Sequence, residues 1–360
     1  MNFTFTGMPE SDAFRWFSEG LREVMRAEGH RYTHNTNDAR LVFNFFPRGR
    51  PRPFRRSAQA VFVCAVTEFP SPFTDHIAQA YPVLPRALAN LAVGLVRSDN
   101  GVPEAHFVTL EQGHYVVHDV RGGNEYFGQV YARIEPMASS TLVIDNFFEP
   151  DLPEALWDGD AVTGSIRRAG RRLDELDLLP APFPMDELLP PRDFRHIKRI
   201  FGIGGLSYGN ISARYDAGWF WMSASGVDKS KLGTIGRDIL LVKDYDAERN
   251  GMIVGHPPGV EPRRVSVDAI EHWMIYREHP RVGAILHVHG WMEGIPSTDF
   301  NYPCGTRELG KAVADIVRQA DDPARCVVGL RNHGLTITGT NLDEIFERVD
   351  GKILRTVPMG

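Results

Sequence analysis

Residues 285–290 read ILHVHG, with two imidazoles one residue apart inside an otherwise apolar run. Such a run reads as a strand, and side chains at i and i+2 of a strand point to the same face, about 7 Å apart. His287 and His289 can therefore converge on one object, most simply a metal ion. A third histidine, His333, stands in LRNHGLTI, where Gly334 permits a sharp backbone reversal that can present the ring to the same point.

The surrounding elements alternate in kind. WFWMSASG, DILLVKDY and VGAILHVHG read as strands. VSVDAIEHWMIYREHP reads as a helix starting near Ser266 or Asp268, and TRELGKAVADIVRQA as a helix with Leu309, Val313, Ile316 and Val317 on one face. CVVGLRNHGLTITG reads as two short strands joined at a turn. Intermixed helices and strands predict a layered α/β domain.

The first half has a different texture. Ser11 is placed to cap a helix in which Phe14, Phe17, Leu21, Val24 and Met25 recur at helical spacing, with Gly29 as a stop. LVFNFF, AVFVCAV, HFVTL and HYVVHD follow as strands of a sheet, with AQAYPVLPRALANLAVGLV read as helical between them. PRGRPRPFRR, residues 47–56, interleaves arginines with prolines and reads as a solvated loop. Residues 174–191, DELDLLPAPFPMDELLPP, have the composition of a linker. Two domains are expected, an N-terminal α+β domain over 1–186 and an α/β domain over 187–360. Length agrees, since 360 residues exceed the ~100–200 typical of one domain.

Composition excludes several classes. With 42% hydrophobic and 24% charged residues the chain is an ordinary globular protein. A formal net charge of −6 gives no general affinity for nucleic acid or anionic lipid, and no run approaches the ~18 apolar residues of a membrane span. The three cysteines, Cys64, Cys304 and Cys326, form no CxxC pair or disulfide framework. A reducing cytoplasm is expected, and Cys304 is expected to be a small packing residue although it lies near the histidine segment. The pairs His30/His34 and His114/His118 are expected to be ordinary surface or packed histidines, with no carboxylate arranged around them.

Five segments in order, GNISAR (209–214), SASGVDKSKL (223–232), IEHWMIYREHPRVGAILHVHG (270–290), CGTRELGKAV (304–313) and RNHGLTITG (331–339), resemble the class II aldolase/adducin family. The resemblance covers roughly residues 190–350, and residues 1–186 resemble no family. It implies a three-layer α/β/α domain with a mostly antiparallel central sheet. It also implies a divalent metal held by His287, His289 and His333, zinc first, with manganese or iron as alternatives. Three neutral imidazoles with an open position suit catalysis, because the vacancy can take a substrate's oxygens.

The family's PSSE or PSSD motif falls on Val265-Ser266-Val267-Asp268, which makes Asp268 the acid/base carboxylate. Asp268 matches the aspartate of the family's 4-epimerases, whereas the aldolases carry glutamate. Asp299 and Tyr302, in STDFNYPCGT, match the family's further proton-transfer residues. Asn210, Ser225, Gly226 and Ser266 match its phosphate pocket, in which Val267 replaces one hydroxyl donor at a cost of about 1 kcal/mol or more. The resemblance implies a metal-dependent lyase of aldol or retro-aldol type, acting through an enediolate on a small hydroxy-carbonyl or sugar-like substrate, within a homo-oligomer. An epimerase or decarboxylase of the same family, a non-heme iron oxygenase on the same fold, and a non-catalytic adducin-like module are the alternatives.

Overall fold

The computed structural model describes residues 1–8, 10–58, 61–71, 73–97, 103–109, 113–118, 123–180, 185–201 and 207–359. Along the chain come β1 (Asn2–Thr6), α1 (Asp12–Ala27), β2 (Arg31–Tyr32), β3 (Leu41–Phe45), β4 (Phe62–Glu68), α2 (His76–Ala80), α3 (Val83–Ala87), β5 (Leu91–Arg97), β6 (Pro103–Thr109), β7 (Gly113–His118) and α4 (Gly123–Ser139). Then follow β8 (Asp145–Glu149), α5 (Ala161–Glu175), α6 (Met185–Leu188), α7 (Pro191–Phe201), β9 (Asn210–Arg214), β10 (Phe220–Ser223), β11 (Ile239–Asp246) and β12 (Gly251–Gly255). The last elements are α8 (Ala269–Glu278), β13 (Ala284–Val288), α9 (Arg307–Gln319), β14 (Val327–Leu330), β15 (Gly334–Gly339) and α10 (Leu342–Val349).

These elements form two compact units, Met1–Ser139 with Pro184–Phe201, and Ser140–Phe183 with Gly202–Pro358. The division differs from a single boundary at 186/187. β8 hydrogen-bonds in parallel to β12 and α5 packs on the second sheet, so residues 140–183 join the later unit through contacts remote in sequence, which composition does not reveal.

The first unit has the sheet order β2-β1-β3-β4-β5-β6-β7, parallel from β2 to β5 and antiparallel thereafter. Ser11 Oγ accepts from Phe14 N, and the buried stripe of Phe14, Phe17, Leu21 and Met25 packs on Leu41, Phe43 and Phe45. Helix α4 lies beside α1 so closely that a Cβ on Gly20 would stand 2.0 Å from the Phe127 ring. The segment expected to be one helix around residues 78–96 is instead α2, α3 and strand β5: Leu88 turns the chain in the left-handed region (φ 56°), and pairing with β4 claims the residues beyond. The arginine loop is held partly from within, Arg52 donating to Thr6 and Asn44 and Arg56 to the Leu88 carbonyl.

The second sheet runs β14-β15-β13-β9-β10-β11-β12-β8, antiparallel except at its β12/β8 edge. Alternation along the strands assigns its two faces. Ala213 of β9 is level with Trp221 and Ala284; on that face Trp221 Nε1 donates to Asp160, the cap of α5, and Ile345 of α10 fills the space over Gly339. On the other face Ser212 meets His272 and Tyr276 of α8, and Thr336 donates to Glu271 of the same helix. Helix α9 approaches α8 through Gly310, where a Cβ would be 3.1 Å from the Glu271 Cα. Three layers, α/β/α, result. Among the described residues no helix is long and apolar enough to cross a membrane.

Candidate metal centre

Three strands set one row of side chains against the start of α8. His287 of β13 is level with Asn210 of β9 on one side and Thr336 of β15 on the other, so all three face α8. His289 follows β13 directly, two residues along and on the same face. His333 lies in the turn between β14 and β15, and the left-handed residue there is Asn332 (φ 59°), not Gly334. Gly334 serves a different need: a Cβ on it would stand 2.3 Å from the Val288 carbonyl oxygen and 3.1 Å from the His289 Cα. The missing side chain lets the turn carrying His333 press against the strand end carrying the other two histidines.

One nitrogen from each of the three rings lies within 4.8 Å of the others, and all three residues are buried. His289 Nε2 and His333 Nε2 are 3.1 Å apart, near the ~3.3 Å separating two imidazole nitrogens bound ~2.0–2.1 Å from one tetrahedral cation. His287 Nδ1 is 2.9 Å from the Leu335 carbonyl, an acceptor only, so Nδ1 carries the hydrogen and Nε2 keeps its lone pair. That Nε2 is buried and has no hydrogen-bond partner. Burial, the largest cause, holds the pKa of His287 below its ordinary value despite the opposing charge of Asp268, and holds those of His289 and His333 well below. A buried nitrogen with nothing to bond, within a set of neutral imidazoles, fits a divalent cation of the zinc or iron type.

Asp268 sits at the N-cap of α8, yet its side chain makes no cap hydrogen bond. Its carboxylate turns to the sheet: Asn210 Nδ2 donates to Oδ2 at 2.7 Å and Gly305 N to Oδ1 at 3.2 Å. Asn210, expected at an anion pocket, thus orients Asp268, with its own Oδ1 buried and unpartnered. Ser266 is buried beside Val267, Ser225 is half-buried and Gly226 is exposed. Asp299 is exposed, and its backbone carbonyl, not its carboxylate, accepts from Arg331. Tyr302 is half-buried against the core, its ring 5.9 Å from that of Phe300. The buried arrangement around Asp268 does not include Asp299.

Several residues here carried no sequence expectation. Lys229 is buried, Nζ donating to the Ser207 carbonyl at 2.6 Å; burial lowers its pKa to about 8, while Asp268 and Asp228 act to raise it. The quoted SASGVDK segment contains this lysine, but nothing local marks it as an interior residue. Glu271, one turn after Asp268, is fully buried and accepts from Thr336; burial first, and then Asp268, raise its pKa to about 8. His272 bonds Ser212 Oγ at 2.7 Å, and burial lowers its pKa to about 3. Cys304 also departs from expectation, its Sγ lying 3.3 Å from His333 Nε2.

The remaining histidines divide. His30 bridges the N-terminal amine and Tyr131 at 2.9 Å each. A carboxylate does serve the β6/β7 hairpin, contrary to expectation: Glu104 bonds His106 and His118, and His106 bonds His114. Antiparallel pairing brings His106 to His114 and Glu104 to His118, eight and fourteen residues apart, a proximity that linear spacing hides.

The second unit is a mostly antiparallel α/β/α fold in which a strand end and one hairpin turn bring three imidazoles together as a candidate metal site. Residues 200–297 match the Class II Aldolase and Adducin N-terminal domain, the same family that the five sequence segments resemble. The chain is 26% identical over 174 residues, covering 40% of this chain and 79% of the relative, to the methylthioribulose-1-phosphate dehydratase of Klebsiella pneumoniae (strain 342). It is 28% identical over 173 residues, covering 40% of this chain and 78% of the relative, to that of Cronobacter sakazakii (strain ATCC BAA-894). Among solved structures, L-fuculose 1-phosphate aldolase superposes with a TM-score of 0.35 at 18% identity, covering 53% of this chain and 81% of the other.

Proposed function

We propose that this chain is a divalent-metal-dependent lyase acting on a small hydroxy-carbonyl compound, with His287, His289 and His333 as the metal ligands and Asp268 as the acid/base residue. The observation that carries the reading is the buried, unpartnered Nε2 of His287 facing two further neutral imidazoles within ligand distance. The retained triad favours an enzyme over an adducin-like binding module. A cation bound there supplies Lewis-acid stabilisation of negative charge on a substrate oxygen. The protein's own groups then account for the proton. Asn210 and Gly305 hold Asp268 from two sides and fix where its free lone pairs point, as a group that takes a proton from a carbon or hydroxyl next to a carbonyl requires. Burial around Asp268 excludes bulk water, and the Lys229 ammonium offsets part of the carboxylate's charge.

Retro-aldol cleavage is the first reading of the bond broken. Elimination of water is the second, favoured by similarity to the methylthioribulose-1-phosphate dehydratases, and it begins with the same proton abstraction. The experiment is a panel of hydroxy-acids and short ketoses, with and without phosphate, incubated with metal-loaded protein and followed by NMR. An aldehyde pair supports cleavage and a dehydrated ketone supports elimination. Turnover that persists after complete removal of metal by chelation overturns the reading.

A further inference from the structure

Cys304 lies immediately before Gly305, whose left-handed conformation (φ 70°) brings its N–H to Asp268 and leaves the thiol beside His333. Sγ is 3.3 Å from His333 Nε2 and 3.6 Å from Nδ1. The same His333 Nε2 is 3.1 Å from His289 Nε2. Around a tetrahedral cation with ~2.0–2.1 Å bonds to nitrogen and ~2.3 Å to sulfur, neighbouring ligands stand about 3.3 Å apart for N···N and about 3.5 Å for N···S. The spacings to Nε2 are close to these values, while the 3.6 Å to Nδ1 sets Sγ beside the ring, one short movement away from a ligand position. An independent feature points into the same space: His287 Nε2, in a residue only 1% exposed, has no partner, and its ring centroid is 4.8 Å from that of His333. The cysteine is in no disulfide.

We infer that Cys304 is a fourth protein ligand, a thiolate that completes a His3Cys set on the cation held by His287, His289 and His333 and closes the open position at rest. The inference rests on the metal reading above. The ligand atoms that lie within 4.8 Å of one another are those of the three histidines, without Cys304, so ligation requires Sγ to move toward the shared centre; the thiol loses its proton to solvent as the S–metal bond forms, and the site's net charge falls from that of a bare dication by one. A thiolate selects softer cations, zinc, cobalt or iron(II), over magnesium or calcium. With the sulfur bound, a substrate oxygen would reach the cation only by displacing it, the released thiolate taking its proton from solvent. Cys304 is thus a removable closure rather than a permanent structural ligand.

The test uses the full chain reconstituted with cobalt(II). Expected is stoichiometric cobalt with a thiolate-to-cobalt charge-transfer band in the near ultraviolet. The band disappears in Cys304→Ser and Cys304→Ala, which still bind cobalt and keep the wild-type circular dichroism. X-ray absorption of the zinc form is expected to show one sulfur at ~2.3 Å, absent from both variants. Stoichiometric cobalt without the band, or a band that survives in Cys304→Ser, overturns the thiolate ligand and leaves the metal reading intact. Failure to bind cobalt, or cobalt retained by His287→Ala, overturns the metal reading and this inference with it.

Discussion

Gly334→Ala isolates what the NHG turn contributes. The glycine is outside the left-handed region, so alanine is compatible with its backbone and the whole effect is steric. The new methyl would stand 2.3 Å from the Val288 carbonyl oxygen, about 1 Å inside the ~3.3–3.6 Å of an ordinary carbon–oxygen contact, and 3.1 Å from the His289 Cα. Both obstacles are backbone atoms flanking hydrogen-bonded strands, so neither can swing aside as a flexible side chain would. Overpacking costs 1–3 kcal/mol, and with no soft neighbour the upper end, about 3 kcal/mol, is expected. Relief must come from parting the β14/β15 turn from the end of β13, which separates His333 from His289. Since metal ligands tolerate only ~0.2 Å, metal affinity should fall at least tenfold. Urea unfolding in chelator, followed by tryptophan fluorescence, reads the second unit, which holds every tryptophan but Trp16. Competition with a chromophoric chelator reads the affinity. Gly218→Ala, where nothing lies within 4 Å of the added methyl, is the control and should stay within about 0.5 kcal/mol. A Gly334→Ala protein with wild-type stability and wild-type metal affinity would refute the close-approach argument.

His287→Ala should abolish metal loading measured by elemental analysis while leaving the circular dichroism of the chelator-treated protein unchanged; loading that survives removes His287 from the ligand set. Asp268→Asn should lower turnover by at least about a hundredfold and leave metal content intact, as loss of an acid/base group without loss of a ligand demands; loss of metal together with activity would instead make Asp268 a ligand. His272 makes the second unit acid-sensitive. Its pKa when folded is about 3 against an ordinary 6.5, so above pH 6.5 neither state binds the proton and stability is whole. As pH falls the unfolded chain takes up a proton that the folded chain refuses, a loss of about 2 kcal/mol at pH 5 that levels off below about pH 3. Urea midpoints of metal-free protein at pH 7 and pH 5 measure it, and His272→Gln should shrink the difference by about that amount, the buried His287, His289 and His333 supplying the rest; an unchanged pH dependence in that variant removes His272 as a cause.

The amino-acid sequence alone determined what depends on local periodicity and side-chain chemistry: the Ser11-capped helix with its Phe14, Phe17 and Leu21 stripe, the layered α/β character of the later half, and the set of three histidines, two of them bound by period-two alternation to share a face. Tertiary structure decided what depends on pairing between distant segments. It placed Asn210 on Asp268, buried Lys229 and Glu271 beside that carboxylate, brought Cys304 against His333, joined residues 140–183 to the later sheet through β8 and α5, and turned the end of an apparent helix into β5. The physical reason is common to all of these. Side-chain patterns report which face of an element is apolar, but the hydrogen-bonding partner of a strand, and the charge that ends up next to a buried group, are settled only when the whole chain packs.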